Sequence, residues 1–357
     1  MVRTVGIVGL GLIGGSLARR MVDAGCQVLA WNHTPRPYAA AQADGIECLP
    51  SLQALAEAKP ELLVLCNPLR AMPDMLAALA PVMDPASTLT DVGSVKGLVR
   101  EQVRQAGLES VYVGAHPMTG NERSGFAASD PELFDDALWA VTVDQNTDFQ
   151  RFLQVSQTIT ETLHNRLIVL DDHTHDRAAA LISHMPHAVA TALINQLCAS
   201  PERNVALALS AGSWRDMTRV ALTDPQRTRA MIDENPINVE ALLRRMADRL
   251  VSYADAIREG REEAMQDFFT QGQPFRQVKA QAGRPPVPAP AHARTPEEPA
   301  QQEPAEADSS QQAKATMPLS LSPSTWQETL INSAKQGQRI VSMPSADQAI
   351  VLQGPTL

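Results

Sequence analysis

A glycine-rich turn close to the start of the chain constrains the fold most strongly. The apolar run at residues 5–8 ends in the sequence Gly-Leu-Gly-Leu-Ile-Gly at residues 9–14, and a helical pattern follows to residue 24. Glycines at this spacing permit a tight turn, a close approach of a pyrophosphate to the backbone, and close packing of helix on strand. The turn therefore predicts a helix N-terminus that binds the phosphates of a dinucleotide. Its predicted cofactor-binding residues are Gly9, Gly11, Leu12, Ile13 and Gly14.

Short β-branched apolar runs alternate with helical patterns through the first 170 residues. Strands that alternate with helices form βαβ units and a mostly parallel sheet. The predicted strands lie at residues 5–8, 28–31, 62–66, 88–91, 111–114, 139–143 and 167–170. Together with the glycine turn, they predict an α/β fold, a doubly wound Rossmann domain over residues 1–170.

The chain changes character after residue 170. Apolar residues now recur at helical spacing, so residues 171–275 are predicted to form an all-helical domain, with a bend at Pro186 inside its first helix. Residues 276–357 are predicted to be a linker and a disordered tail, because residues 284–312 are rich in Pro, Ala, Glu and Gln. The last forty residues hold too little apolar content for an independent core, and no function follows from their sequence.

Charge and composition exclude several classes of protein. The net charge of −10 and the aromatic content of 4% argue against binding to nucleic acid or to an anionic membrane. No targeting segment precedes the first strand, and no apolar run approaches the ~20 residues that span a bilayer, so a cytoplasmic protein is expected. The four cysteines form no Cys-x-x-Cys pair, which predicts neither disulfides nor a zinc site.

Two histidines and three aspartates lie together at the start of the helical region. His173 and His175 stand among Asp171, Asp172 and Asp176, a composition that also occurs in metal sites. Their position at a predicted helix start favours N-terminal capping and a solvated face, so no metal is predicted.

The end of the second predicted strand carries the signal for cofactor preference. An NAD-binding domain usually places Asp or Glu there to bind the ribose 2′-hydroxyl, whereas this chain has Asn32, His33, Thr34 and Arg36. Donors and a positive charge suit a 2′-phosphate, so NADP is favoured. In the alternative, Arg36 is a solvated surface charge and Asn32 serves the ribose of NAD.

Two further polar residues follow neighbouring strands. Ser94 comes shortly after the strand at 88–91, and His116 comes after the strand at 111–114. Open α/β sheets bind ligands at the carboxyl ends of their strands, and histidine accepts protons near neutral pH. The two residues therefore predict a catalytic crevice with His116 as general base.

Five segments, in this order, resemble the prephenate/arogenate (cyclohexadienyl) dehydrogenase family of tyrosine biosynthesis. They are residues 9–16, 91–96, 116–125, 183–187 and 212–221, and the resemblance covers residues 4–270. It implies an oxidoreductase with an N-terminal Rossmann domain and a helical domain that forms a homodimer. It also implies oxidative decarboxylation of prephenate to 4-hydroxyphenylpyruvate, or of arogenate to tyrosine, with NAD(P).

The resemblance assigns roles to individual positions. His116 matches the catalytic histidine that takes the proton of the ring hydroxyl, and Ser94 matches the residue that supports this hydrogen bond. Arg219 matches the arginine for a substrate carboxylate. If residue 213 begins a helix, Arg215 and Arg219 also share one face, where two guanidinium groups meet a dianionic acid. The matched pocket-lining positions are Arg215, Glu122 and His187.

Two other functions remain alternatives. A β-hydroxyacid-type dehydrogenase shares the two-domain plan. Enzymes of that type resemble one another in a catalytic lysine on the first long helix of the second domain, and the corresponding helix here, residues 177–197, has no lysine. A non-catalytic NADP-binding regulatory protein would have lost His116 or Arg219, and both are present.

Overall fold

The computed structural model describes residues 2–121, 123–281 and 316–356. Its centre is an eleven-stranded sheet in the order β3-β2-β1-β4-β5-β6-β7-β8-β10-β11-β9. The strands of the first 170 residues pair in parallel, except that β7 is antiparallel to β6. These strands are β1 (Thr4–Val8), β2 (Gln27–Trp31), β3 (Glu47–Cys48), β4 (Leu62–Leu65), β5 (Thr88–Asp91), β6 (Tyr112–Pro117), β7 (Leu138–Thr142) and β8 (Arg166–Leu170).

Helices cover both faces of this sheet, which explains why the strands are apolar without alternation. In β4, Leu62 and Val64 belong to one core, whereas Leu63 and Leu65 belong to the core on the opposite face. The predicted Rossmann domain is therefore confirmed. Its helices are α1 (Leu12–Asp23), α2 (Tyr38–Ala43), α3 (Leu52–Glu57), α4 (Met72–Leu79), α5 (Gly97–Gln105) and α6 (Phe149–Gln157).

Strand β6 extends further than the sequence predicted. His116 pairs with Ala140 and Pro117 pairs with Trp139, so both residues belong to the strand and not to the loop that follows it. The pairing partner is the antiparallel strand β7. The apolar pattern at residues 111–114 does not predict this pairing, because β7 lies more than twenty residues further along the chain.

Residues after β8 form the predicted helical domain. Helix α7 (Asp172–Ala179) leads through a π-helical turn at Ala180–His184 into α8 (Met185–Ala199), near whose start Pro186 cannot supply a backbone N–H. Gly260 has a left-handed φ of 65° and ends the longest of these helices. The helices are α7 (Asp172–Ala179), α8 (Met185–Ala199), α9 (Arg203–Ala208), α10 (Gly212–Thr218), α11 (Pro225–Asp233), α12 (Pro236–Glu259), α13 (Glu262–Thr270) and α14 (Gln273–Gln281).

The prediction of a tail is wrong for residues 316–356. They form the C-terminal unit, which consists of β9 (Thr316–Ser320), α15 (Trp326–Lys335), β10 (Gln338–Ser345) and β11 (Gln348–Gln353). The unit has no separate core, as expected, because it joins the core of the Rossmann domain. Strand β10 pairs with β8, and the Trp326 ring packs on Phe149 and Phe152, with centroid distances of 5.0 and 4.6 Å. The rest of the predicted linker, residues 282–315, lies outside the described residues.

None of the helices in the described ranges combines the length and the apolar composition that crossing a membrane requires. The cytoplasmic location expected from the sequence stays a prediction.

Candidate active site

The glycine turn forms an open cradle at the carboxyl end of β1. Gly9 has a φ of 103° and lies against Cys66, and a Cβ on Gly14 would lie 2.0 Å from the Gly9 carbonyl oxygen. In contrast, a Cβ on Gly11 would meet no atom of the described residues within 4 Å. Leu12 and Ile13 open α1, whose first N–H groups receive no side-chain cap. The space over Gly11 and the uncapped helix start thus fit the pyrophosphate of a dinucleotide.

Asn32 supports this turn from the end of β2. Its Oδ1 accepts a hydrogen bond from the Leu10 N–H at 2.9 Å, and its Nδ2 donates to the Thr34 carbonyl oxygen at 2.9 Å. His33 and Arg36 are exposed, and Thr34 is half-buried. The side chain of Asn32 thus shapes the loop, while those of His33 and Arg36 are accessible beside it.

A chain of three side chains leads away from His116. The His116 Nδ1 lies 2.9 Å from His175 Nε2, and the His175 Nδ1 lies 2.8 Å from Asp176 Oδ1. A carboxylate accepts only, so His175 donates from Nδ1, and in its neutral form it accepts at Nε2. His116 then donates from Nδ1, which leaves the lone pair of its Nε2 free. This tautomer is the one that a general base requires.

The surroundings keep His116 neutral and Asp176 charged. Burial, followed by the proximity of His175 and Lys96, holds the pKa of His116 well below its ordinary value. Burial alone would raise the pKa of Asp176, but hydrogen bonds from His175 and from backbone N–H groups outweigh it and lower this pKa. Those N–H groups belong to Lys96, at 2.8 Å, and Gly97, at 2.9 Å, at the start of α5.

A buried ion pair lies beneath the site. Lys96 and Asp91 have fully buried side chains that are hydrogen-bonded to each other, and Lys96 Nζ also donates to the Ala115 carbonyl oxygen at 2.8 Å. Tyr112 donates its hydroxyl to Asp91 at 2.7 Å. The ammonium group is thus fixed under the residue that precedes His116, where it disfavours a second positive charge.

Sequence reasoning missed the partners of His116. The interpretation of His175 and Asp176 as part of a solvated face is wrong, because they are 2% and 7% exposed. The capping interpretation is correct for Asp171, which accepts from the Thr174 N–H at 2.8 Å. The available signal was the adjacent His-Asp pair at the domain junction, since α7 packs against the start of α5 and brings this pair to the end of β6.

Ser94 lies in the loop between β5 and α5 and is half-buried. Within the part of the chain that the structure describes, its side chain makes no hydrogen bond with His116. Ser94 follows β5 and His116 lies in the neighbouring parallel strand β6, and the role of Ser94 in supporting the hydrogen bond between His116 and the substrate hydroxyl stays a prediction.

Three of the four predicted substrate residues lie on neighbouring elements of the helical domain. His187 is half-buried in α8 and donates from Nδ1 to the Ser183 carbonyl oxygen at 2.9 Å. Arg215 lies in α10, whereas Arg219 begins a 3₁₀ turn, Arg219–Leu222, because α10 ends at Thr218. Both arginines are exposed in the isolated chain, and neither forms an ion pair within the described ranges. Glu122 lies outside the described residues.

Outside the gaps at 122 and 282–315, no group of three or more His, Cys, Asp or Glu side chains is arranged to hold a metal ion.

Two family models match consecutive parts of the chain. The model described as "Prephenate dehydrogenase, nucleotide-binding domain" matches residues 20–169. The model described as "Prephenate dehydrogenase, dimerization domain" matches residues 171–271. The boundary between them coincides with the end of β8, and the C-terminal unit lies beyond both.

Individual relatives give the same result. Cyclohexadienyl dehydrogenase of Zymomonas mobilis is 33% identical over 238 residues, which are 65% of this chain and 80% of that protein. Prephenate dehydrogenase of Lactococcus lactis is 27% identical over 285 residues, 76% of each protein. The crystal structure of prephenate dehydrogenase from A. aeolicus with hydroxyphenyl propionate and NAD+ has a TM-score of 0.70 and 27% identity, covering 79% of this chain and 98% of that one.

Proposed function

The chain belongs to the prephenate dehydrogenase family, and from this premise we propose that it oxidatively decarboxylates prephenate to 4-hydroxyphenylpyruvate in tyrosine biosynthesis. The observation that carries the proposal is the chain of hydrogen bonds from His116 through His175 to Asp176. It presents a neutral imidazole with a free Nε2 lone pair at the carboxyl end of β6. That edge of the sheet also holds the glycine turn.

His116 is the proposed general base. As the hydroxyl-bearing ring carbon of the substrate is oxidised, Nε2 of His116 takes the hydroxyl proton, and the imidazolium is stabilised through His175 by the charge of Asp176. The bond to the ring carboxylate then breaks, carbon dioxide leaves, and the electron pair makes the ring aromatic. The oxygen regains its proton as the phenol forms. Ser94 is the proposed support for the hydrogen bond between substrate hydroxyl and base.

A nicotinamide cofactor supplies the hydride acceptor for this oxidation. The proposed cofactor residues are Gly9, Gly11, Leu12, Ile13 and Gly14 in the turn, with Asn32, His33, Thr34 and Arg36 beside it. Because the end of β2 offers donors and a guanidinium group but no carboxylate, we favour NADP over NAD. Asn32 contributes by shaping the turn, whereas His33 and Arg36 are the accessible groups for a 2′-phosphate.

The helical domain is proposed to hold the carboxylates of the substrate. Arg219 is assigned to the side-chain carboxylate, and Arg215, Glu122 and His187 are assigned to the walls of the pocket. The turn that begins at Arg219 packs on α8, the helix of His187, which supports a common pocket. The substrate side chain would thus be held by one domain while the other carries out the oxidation.

We also propose that two copies assemble through the helical domain. Large apolar side chains are exposed on its helices in the isolated chain, and such a surface indicates an interface. They are Leu181, Ile182, Val205, Leu207, Leu209, Met217, Leu222, Ile237, Leu250, Val251, Ile257, Phe269 and Phe275.

One assay tests the activity. The purified chain is mixed with prephenate or arogenate and with NAD+ or NADP+, and the absorbance of the reduced nicotinamide is followed. We expect turnover of prephenate, with a lower KM for NADP+ than for NAD+. Turnover of arogenate alone would transfer the proposal to arogenate dehydrogenase. Tight cofactor binding without turnover of either acid would contradict it.

A further inference from the structure

Asn235 stands at the N-terminal end of the long helix α12 and does not cap it. Asparagine is favoured at this position because its side-chain oxygen accepts from the first free N–H groups of a helix. Here the side chain makes no such bond, although Asn235 is the N-cap residue and is only 5% exposed. The buried amide of Asn235 does not cap α12, and it forms its hydrogen bonds with other residues instead.

The amide of Asn235 is directed at α7. Its Nδ2 donates to the Asp176 carbonyl oxygen at 2.8 Å and lies 3.3 Å from His184 Nδ1. Its Oδ1 accepts from Asn238 Nδ2 at 2.8 Å. Since Nδ2 has two protons and no lone pair, His184 must accept at Nδ1 and carry its own proton on Nε2. The four residues therefore form a satisfied network with a defined orientation of the amide.

The contact lies just before the π-helical turn Ala180–His184. The Asp176 carbonyl oxygen accepts from two donors there, the N–H of Ala180, which also reaches the Arg177 carbonyl oxygen, and the Nδ2 of Asn235. A carbonyl oxygen has two lone pairs, so both bonds can form together. The main chain of Asp176 is thus held by α12, while its carboxylate is held by His175 and by the start of α5.

We propose that Asn235 is a positioning residue, which holds the His175–Asp176 pair against His116 and so connects α12 to the proposed base. Asn235 acts through Asp176 and His184, its two hydrogen-bond partners on the neighbouring helical segment. The titratable groups around this network are Asp176 and His175 on α7, and His187 on the helix that follows His184. The inference rests on the proposed function, because His116 is its point of action.

The test compares Asn235→Ser with Asn146→Ser. A serine at 235 keeps the ability to cap α12 but has no amide to donate to Asp176 and His184. Asn146→Ser makes the same change at an exposed asparagine in the loop between β7 and α6. We expect kcat to fall by about 100-fold in Asn235→Ser, the order of loss that a misplaced catalytic group causes, with KM unchanged and Asn146→Ser like the wild type.

Nitrogen NMR of the imidazole rings gives a readout that does not need activity. In the wild type, the signals should show protonated Nδ1 on His116 and His175 and protonated Nε2 on His184, and Asn235→Ser should mix these tautomers. Unaltered imidazole signals in Asn235→Ser, a retained kcat, or an equal loss in both variants would overturn the positioning role. An inactive wild type would remove the proposed function, and the NMR comparison would still decide the role of Asn235.

Discussion

At the scale of single residues, two glycines of the turn have separable roles. A Cβ on Gly14 would lie 2.0 Å from the Gly9 carbonyl oxygen, whereas a Cβ on Gly11 would meet nothing within 4 Å in the part of the chain that the structure describes. We therefore expect Gly14→Ala to lower the free energy of unfolding by about 1–3 kcal/mol, as overpacking does. Gly11→Ala should leave stability unchanged but weaken cofactor binding, because the methyl group enters the space for the pyrophosphate. Urea unfolding and cofactor titration measure the two effects, and equal stability losses would refute the distinction.

The lowered pKa of His184 predicts how the stability of the protein depends on pH. Burial lowers its pKa from 6.5 to about 4 in the folded protein, so between these values the unfolded chain binds more protons than the folded one. The free energy of unfolding should therefore decrease as the pH falls from 6.5 to 4, by up to about 3 kcal/mol from this residue.

His184→Gln should remove part of this pH dependence, which urea unfolding at pH 7.5 and pH 5 measures. His33→Gln is the matched control, since His33 is exposed, and it should retain the full dependence. An identical dependence in wild type and His184→Gln would contradict the assignment.

The base was predictable from sequence and its partners were not. His116 follows a strand at the sheet edge where ligands bind, and this logic needs only the order of strands and helices. His175 lies 59 positions further along, and its contact with His116 depends on how α7 packs along α5. The same holds for Asn235, whose partner Asp176 lies on a different helix.

At the scale of elements, the composition of the C-terminal unit predicted a disordered tail, whereas the unit is folded. Residues 316–356 cannot form a core alone, and that inference from sequence was right. However, β8 would be a sheet edge without this unit and α6 offers an aromatic surface, so the unit completes a core that already exists. The short β3 was missed for the related reason that its two residues are defined only by pairing with β2.

Substitution of Trp326 tests how much the C-terminal unit contributes to the stability of the folded protein. It is buried against Phe149 and Phe152, so Trp326→Ala should lower the free energy of unfolding by about 3–5 kcal/mol. Lys335→Ala, an exposed change on the same helix, should have no measurable effect. Urea unfolding compares the two variants with the wild type. Equal stability of Trp326→Ala and wild type would show that the unit does not dock on the Rossmann domain.

At the scale of the whole molecule, the helical domain is incomplete as a single chain. Of the 24 residues of α12, only Val239 and Ala256 are buried, while Ile237 is 82% exposed. We expect a particle of twice the 38.6 kDa chain mass in sedimentation equilibrium at micromolar concentration. A monomer under these conditions would contradict the proposed assembly.

The role of His116 as the base of a prephenate dehydrogenase predicts a large loss of turnover in His116→Asn. With prephenate and the preferred cofactor, kcat of this variant should fall by about 10²- to 10⁴-fold relative to the wild type, the usual contribution of a positioned base. The dissociation constant of the cofactor should not change, because the glycine turn is untouched. Wild-type turnover in His116→Asn would contradict the account.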